Sequence, residues 1–296
     1  MTNAPIIANF IDVEPGVRVR YIEIGAGQPT IFLHGSAPGA SAWSNFKGNM
    51  GAFAGAGFRA IGLDLIGYGD SSKPEGGENH IAYSKRHMAL DQVEVMKALG
   101  HERFQVAGHD RGGRVVHRML LDHPDAIERA AILDIAPTAT MYARVNKEFA
   151  TRYMWWFFLI QPEPLPETLI GDHLDFYLEH HIDKQNKTPG AITPDALEEY
   201  RRCYTRETLH AVCEDYRAAA GIDLKHDAED AEKRIEIPLL ALWGEKGVVG
   251  ATYDVLQTWR EKAQDVRGFS LPCGHYLPEE APDLTLKAFR AFFRSA

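Results

Sequence analysis

One short segment combines the residue types needed for nucleophilic attack. It reads Gly108-His109-Asp110-Arg111-Gly112-Gly113, directly after the apolar run Phe104 to Ala107 and before a helical pattern from Arg111 to His123. Small residues flank the central one because a strand that turns sharply into a helix brings two backbones close together. This is the spacing of the G-x-S-x-G nucleophile elbow, with Asp110 in the serine position. The alternative is an ordinary strand–turn–helix junction in which Asp110 caps the helix.

A carboxylate nucleophile restricts the chemistry. It attacks carbon by displacement and gives an alkyl ester, which a water activated by histidine then cleaves at its carbonyl carbon. This route suits carbon–halogen bonds and epoxides, and it does not suit amides. The elbow therefore predicts a hydrolase that works through an ester on Asp110.

The base is predicted to be His275, in Pro272-Cys273-Gly274-His275-Tyr276, after the last predicted strand and before the last predicted helix. Two acids are open as its partner. Asp134 ends an apolar strand at the catalytic edge of the sheet, and Glu245 follows a later strand. We favour Asp134, and we expect its carboxylate to accept the ring N–H of His275 and to stabilise the imidazolium.

The residues around the nucleophile predict an anionic substrate. Arg111 and Arg114 lie one and four residues after Asp110, and a cation beside a buried nucleophile costs desolvation unless it binds something. Two guanidinium groups can hold a carboxylate through paired hydrogen bonds, which would place the α-carbon of a short acid over Asp110. The alternative is a salt bridge to a cap acid or to Asp134. The backbone N–H groups of Arg111 and Ser36 are the expected oxyanion donors.

A leaving halide needs N–H or O–H donors in an otherwise apolar pocket. Trp155, Trp156 and Tyr216 supply these types from the middle of the chain. The alternative is that the three aromatic side chains only fill the core of a cap.

The hydrophobic pattern predicts a split core. Asn9 to Val13 and Val17 to Ile24 are predicted antiparallel strands, after which short apolar runs alternate with helical patterns. Such alternation is typical of a mostly parallel α/β sheet with helices on both faces. From about residue 141 to 231 the pattern is helical, and strands return afterwards. We therefore predict a core of residues 1–140 and 232–296 and an inserted helical cap of residues 141–231.

Composition narrows the partners. The 296 residues carry a net charge of −9, which argues against nucleic acid and anionic membranes as partners. No apolar run reaches the roughly 20 residues of a membrane span, and Met1 to Phe10 lacks the pattern of a signal peptide. The cysteines have no zinc or CxxC spacing, so free thiols in a cytoplasmic protein are expected; they are Cys203, Cys213 and Cys273. The chemistry implies no metal or organic cofactor.

Nearly the whole chain resembles the haloacetate dehalogenases of the α/β-hydrolase superfamily, the group that includes fluoroacetate dehalogenase. The segments that carry the resemblance are Asp64-Leu65-Ile66-Gly67-Tyr68-Gly69-Asp70-Ser71-Ser72-Lys73-Pro74, Gly108-His109-Asp110-Arg111-Gly112-Gly113-Arg114, Leu133-Asp134-Ile135-Ala136-Pro137-Thr138, Gln161-Pro162-Glu163-Pro164-Leu165-Pro166 and Cys213-Glu214-Asp215-Tyr216-Arg217-Ala218. The resemblance implies an α/β-hydrolase fold, hydrolysis of haloacetate to glycolate and a homodimer. The roles it implies are nucleophile for Asp110, its partners for Asp134 and His275, carboxylate clamp for Arg111 and Arg114, and halide ligands for Trp156 and Tyr216.

Two positions depart from that family. Trp155 stands where the family has a fluoride-binding histidine, and an indole N–H is bulkier and cannot carry a charge. Because fluoride is the poorest leaving halide, fluoride release is expected to be weaker than chloride or bromide release. The stretch His34-Gly35-Ser36-Ala37-Pro38-Gly39 replaces the family's HGFP. It is similar to C–C bond hydrolases, which need an elbow serine that this chain lacks, and it is expected to change which acid fits.

Two other functions are compatible with the fold. An epoxide hydrolase would use Asp110, His275 and the acid, with Tyr216 and Tyr153 protonating the epoxide oxygen; Arg111 argues against it. A non-catalytic, hormone-receptor-like binder is the third class, and the complete Asp–His–acid set argues against that.

Overall fold

An eight-stranded sheet organises the molecule. The computed structural model describes residues 6–294, so part of the segment Met1 to Phe10 that was considered for a signal peptide lies outside the described residues. The strands are β1 Ile7–Glu14, β2 Val17–Gly25, β3 Gln28–Leu33, β4 Phe58–Leu63, β5 Phe104–His109, β6 Ile127–Leu133, β7 Leu239–Gly244 and β8 Val266–Leu271. Their order is β1-β2-β4-β3-β5-β6-β7-β8. The β1–β2 and β2–β4 pairs are antiparallel and the others parallel, which confirms the predicted sheet type.

Helices cover both faces of the sheet. Alternate strand residues point to opposite faces, so Ile31 of β3 joins one apolar cluster and the adjacent Phe32 joins another. The helices outside the segment between β6 and β7 are α1 Ala42–Ala54, α2 Lys85–Ala98, α3 Arg111–Asp122, α12 Val248–Thr252, α13 Val255–Arg260, α14 Leu277–Glu280 and α15 Pro282–Phe293. Helices α2 and α3 pack on the Ile31 face, and α1 and α15 pack on the Phe32 face. The predicted α/β-hydrolase architecture is therefore present.

Between β6 and β7 the chain forms a run of helices, called the insertion below (residues 138–229). Its helices are α4 Thr138–Ala143, α5 Lys147–Arg152, α6 Trp155–Phe158, α7 Leu165–Gly171, α8 Leu174–Gln185, α9 Pro194–Cys203, α10 Arg206–Ala220 and α11 Ile222–Glu229. Trp156, Leu178 and Tyr216 belong to the same apolar cluster as Ile31, so the insertion and the sheet share one core. The insertion begins before residue 141, where the cap was predicted to start, and the division into two domains remains a prediction.

Two further properties concern the described residues as a whole. The three cysteines are free and buried, as expected from their spacing. Within residues 6–294, no helix is both long enough and apolar enough to cross a membrane.

Candidate active site

Asp110 sits on a strained turn between β5 and α3. Its φ of 45° lies in the left-handed region, which non-glycine residues rarely adopt. A Cβ on Gly112 would lie 2.6 Å from the backbone oxygen of His34, so this position needs glycine. Asp110 occupies the N-cap position of α3, but its carboxylate makes no capping hydrogen bond to the helix. The turn instead presents the side chain at the carboxyl edge of the parallel strands, where α/β folds bind ligands.

One oxygen of the Asp110 carboxylate is held and the other is free. The backbone N–H of Ser36 donates to Oδ2 at 3.0 Å. Among the described residues, nothing donates a hydrogen bond to Oδ1, and Arg111 N, the other predicted donor, makes no hydrogen bond to the carboxylate. Burial raises the pKa of Asp110, but the positive charges of His275 and Arg114 outweigh it and lower the pKa to about 2. Asp110 is therefore ionised at neutral pH, with Oδ1 available to attack.

His275 is oriented by Asp134. Its Nδ1 lies 2.6 Å from Asp134 Oδ2, and Gly244 N donates to Oδ1 of the same carboxylate at 2.9 Å. Burial lowers the pKa of His275, but the hydrogen bond and charge of Asp134 outweigh it and raise the pKa above its ordinary value. Glu245, the other acid left open by the sequence, is exposed. The structure thus brings His275 and Asp134 together, with the second ring nitrogen of His275 left to take a proton.

The loop that carries His275 is fixed by two contacts to its backbone. His109 Nε2 donates to His275 O at 2.8 Å, since a carbonyl oxygen only accepts. Burial and the charge of His275 lower the pKa of His109 to about 3, so His109 stays neutral. The backbone N–H of His275 donates to Gln185 O of α8 at 3.2 Å. The base is therefore positioned from the core and from the insertion.

Arg111 forms the salt bridge that the sequence left open as the alternative to a clamp. Its Nε donates to Asp215 Oδ2 at 2.9 Å and its Nη2 donates to Oδ1 at 2.6 Å. Asp215 also accepts hydrogen bonds from Lys85 and from the Tyr68 hydroxyl. An acid of the insertion therefore occupies two of the three Arg111 nitrogens. Arg111 Nη1, however, is buried and has no hydrogen-bond partner within the described range.

Arg114, like Arg111, is hydrogen-bonded by the protein through only some of its nitrogens. Its Nη1 donates to Ala136 O at 3.1 Å and to Thr138 Oγ1 at 2.9 Å. Its Nε is buried and, among residues 6–294, has no hydrogen-bond partner. The positive charges of Arg114 and Arg111 both lower the pKa of Asp110, so both guanidinium groups act on the nucleophile. Each arginine is fixed by the protein and keeps one buried N–H unsatisfied.

The predicted halide donors are all buried, and the Tyr153 ring contacts both tryptophans, with its centroid 6.0 Å from that of Trp156. The Arg114 guanidinium lies over the Trp156 ring, with its Cζ 4.7 Å from the ring centroid. The centroids of the Trp156 and Tyr216 rings are 6.2 Å apart. Trp155 packs against His181 of α8, at 4.4 Å between ring centroids, and against Tyr153 at 4.9 Å. In the described part of the chain, neither indole N–H nor the Tyr216 hydroxyl makes a hydrogen bond. All three donors are thus unused by the protein itself.

Two residues near the reacting groups, Asp215 and His181, are not among the site residues that the sequence predicts. Asp215 lies inside the segment Cys213-Glu214-Asp215-Tyr216-Arg217-Ala218, and that signal could have identified it as the partner of Arg111. His181 has no comparable signal, because an isolated histidine in a polar helix is usually exposed. Within residues 6–294, no group of three or more His, Cys, Asp or Glu side chains is arranged to hold a metal ion.

Comparisons with known proteins agree with this architecture. Residues 29–282 match the family model described as alpha/beta hydrolase fold. The chain is 36% identical over 282 residues to a fluoroacetate dehalogenase of Burkholderia sp, covering 95% of this chain and 91% of that protein. It is 30% identical to a soluble epoxide hydrolase of Corynebacterium sp. strain C12, covering 94% of each. A crystal structure from Nostoc sp PCC 7120 has 49% identity and a TM-score of 0.95, covering 98% of this chain and 99% of that one.

The chain belongs to the α/β-hydrolase fold family, and it is a hydrolase. Within that family its sequence is haloacetate dehalogenase-like, and epoxide hydrolases are also among its relatives.

Proposed function

We propose that this enzyme hydrolyses the carbon–halogen bond of short 2-halo acids, turning haloacetate into glycolate. The observation that carries the proposal is the pair of unpartnered, buried nitrogens, Arg111 Nη1 and Arg114 Nε, beside the ionised Asp110. A buried polar group without a partner costs about 1–3 kcal/mol. A substrate carboxylate that accepts from both arginines removes that cost and also offsets its own repulsion by Asp110.

The first step is displacement. With the substrate carboxylate on the arginines, Asp110 Oδ1 attacks the α-carbon while Ser36 N holds Oδ2. A carbon–oxygen bond forms as the carbon–halogen bond breaks, and the halide leaves with the bonding electron pair. The reacting geometry is in line, so the halide departs away from Asp110. Trp156 and Tyr216 offer it the N–H and O–H that the protein leaves unused.

The second step is hydrolysis of the ester. The free ring nitrogen of His275 takes a proton from water, and the resulting hydroxide attacks Cγ of Asp110. Negative charge develops on the oxygen that Ser36 N contacts, so this N–H serves as an oxyanion donor. Asp134 stabilises the imidazolium. Collapse releases the glycolate alkoxide, which takes the proton from His275. The Asp110 carboxylic acid that remains then loses its proton to solvent, which restores the carboxylate.

Epoxide hydrolysis is the second candidate, and one observation favours it. Burial and the charges of Asp134 and Asp110 raise the pKa of Tyr153, and burial and the charge of Asp110 raise the pKa of Tyr216. The charge of Asp110 acts on both hydroxyls, which stay protonated at neutral pH and can donate to an epoxide oxygen, although the raised pKa makes each a weaker acid. A neutral epoxide, however, would leave Arg111 Nη1 unsatisfied, so this reaction ranks second.

A substrate panel separates the two reactions. We expect halide release from bromoacetate and chloroacetate, with slower release from fluoroacetate, and no diol from styrene oxide. Asp110→Asn should abolish turnover because an amide is a poor nucleophile, whereas the exposed control Asp125→Asn should keep full activity. Diol without halide would overturn the dehalogenase proposal in favour of an epoxide hydrolase, and activity in Asp110→Asn would remove the nucleophile assignment.

A further inference from the structure

His181 is a buried histidine that the mechanism above does not use. It lies on α8 of the insertion with 6% of its surface exposed, and its ring is 4.4 Å from the Trp155 ring. Burial and the charge of His275 lower its pKa, against an opposing effect of Asp110, and the pKa falls to about 3. His181 is thus a neutral imidazole that packs on Trp155, one of the predicted halide donors.

The tautomer of His181 is set by Gln185. The Gln185 side-chain nitrogen Nε2 lies 2.8 Å from His181 Nε2. An amide nitrogen only donates, so His181 Nε2 accepts and the ring proton is on Nδ1. Gln185 is itself anchored, because its backbone oxygen accepts the backbone N–H of His275 at 3.2 Å. The His181 imidazole is therefore held at a fixed position relative to the loop that carries His275.

The second ring nitrogen of His181 is unused. Among residues 6–294, Nδ1 makes no hydrogen bond. A fixed N–H donor without a protein acceptor, hydrogen-bonded to a residue that also contacts the loop of the catalytic base, is suited to bind an anion. The substrate carboxylate already has the two arginines, so the anion left to be bound is the departing halide. An in-line attack sends that halide away from Asp110, and Trp155, packed on His181, is one of the predicted halide donors on the insertion.

We propose that His181 Nδ1–H donates a hydrogen bond to the departing halide and is a catalytic residue of the displacement step. The proposal rests on the proposed dehalogenase function and names the residue that sets its preference among halides. As the carbon–halogen bond breaks, its electron pair passes to the halide, and the Nδ1 proton stays on His181. Fluoride is the smallest halide and the strongest hydrogen-bond acceptor, so His181 matters most for fluoride release.

Two substitutions isolate the donor. His181→Phe keeps a planar ring against Trp155 and removes the N–H. His181→Asn restores a side-chain N–H at a position close to that of Nδ1. The matched control is His180→Phe, at the neighbouring, exposed position of α8. Initial rates of halide release are measured for fluoroacetate and bromoacetate, with chloroacetate replacing fluoroacetate if the wild type releases no fluoride.

The expected result is a change in halide preference. His181→Phe should lower the release of the smaller halide about 10-fold more than that of bromide, as loss of one hydrogen bond to a charge predicts. His181→Asn should restore most of the ratio, and His180→Phe should leave it unchanged. An equal loss of both halides in His181→Phe, an unchanged ratio, or a loss that His181→Asn does not restore would overturn the proposal.

A binding measurement separates this proposal from the dehalogenase proposal. Sodium bromide is titrated into the wild type and His181→Phe without organic substrate, and tryptophan fluorescence is followed because Trp155 contacts His181. Saturable quenching that is about 10-fold weaker in His181→Phe supports a halide donor even if no haloacetate is turned over, in which case only the dehalogenase function fails. Equal affinity in both proteins, or no saturable binding to the wild type, would contradict the role of His181.

Discussion

At the scale of single residues, Asp110 and His275 control each other's charge. The negative charge of Asp110 raises the pKa of His275, and the positive charge of His275 lowers the pKa of Asp110. When Asp110 becomes an ester its charge disappears, and the pKa of His275 falls. Formation of the proposed intermediate therefore shifts His275 towards the neutral form that can act as a base.

The coupling predicts that acid traps the intermediate. His275 is active when neutral, and because Asp134 raises its pKa, the neutral fraction decreases as the pH falls through that pKa. We expect ester hydrolysis to slow at acid pH and the alkylated enzyme to accumulate with bromoacetate. His275→Asn should do this at every pH, with turnover lowered roughly 10²- to 10⁴-fold.

Intact-protein mass spectrometry after mixing with bromoacetate measures the trapped ester. The exposed control His173→Asn should show no accumulation. Full turnover in His275→Asn, or an adduct in the control, would be inconsistent with His275 as the base.

At the scale of elements, the elbow depends on the close approach of β5, α3 and the loop after β3. Gly112→Ala would place a Cβ 2.6 Å from His34 O, and backbone cannot yield as a side chain can. We expect a loss of about 1–3 kcal/mol in the free energy of unfolding and displacement of Asp110 from Ser36 N. Urea unfolding and halide release measure the two effects.

The matched control is Gly51→Ala in α1, where an added Cβ meets nothing within 4 Å. Alanine favours helix over glycine, so this variant should be more stable by up to about 1 kcal/mol. Equal effects of the two substitutions would show that the elbow is not sterically restricted.

A second element-scale feature is the attachment of α10 to the core. Asp215 of α10 accepts hydrogen bonds from Arg111 of α3, Lys85 of α2 and Tyr68. Asp215→Asn removes the ion-pair partner of the buried Arg111 and one of the two acidic partners of the buried Lys85, so we expect a loss of about 3–5 kcal/mol in unfolding free energy. Denaturant titration tests this against Asp172→Asn, which breaks the exposed ion pair with Arg206 and should cost less than about 1 kcal/mol.

At the scale of the whole molecule, the negative net charge acts on an approaching anion at long range, whereas the cationic site acts on it only at short range. The chain carries −9 overall, which disfavours long-range attraction of a small anion. Arg111 and Arg114 are buried at 0% and 4% exposure, where they are little screened by salt. Recognition of an anionic substrate in this protein would therefore be local, made by oriented N–H groups and not by the surface field.

Association is the remaining whole-molecule prediction. The resemblance to haloacetate dehalogenases implies a homodimer. Sedimentation equilibrium should then give twice the chain mass of 33.1 kDa. A particle of one chain mass at micromolar concentration would contradict the implied dimer.

Local patterns were sufficient for much of the fold and for the nucleophile. Some features depend on only a few neighbouring residues, so the sequence predicts them directly. They are the glycines around Asp110, the apolar runs and the last helix, Pro282–Phe293. No helix is predicted over Ala42–Ala54, where Gly48 and Gly51 weaken the helical pattern. Asp134 and Glu245 are both candidates because parallel strands end at one edge of a sheet, which is a rule of topology and needs no contact map. The structure decides between them, because Asp134 contacts His275 and Glu245 is exposed.

The sequence by itself determined which residue types can react and at which turn, because strain, periodicity and glycine placement are local properties. Only the tertiary structure decided what faces them. Arg111 meets Asp215, 104 positions away. His181 of α8 packs on Trp155 and hydrogen-bonds Gln185, whose backbone oxygen accepts from His275 N. A helical pattern shows which face of a helix is apolar, but the group opposite that face depends on how the insertion packs over the sheet.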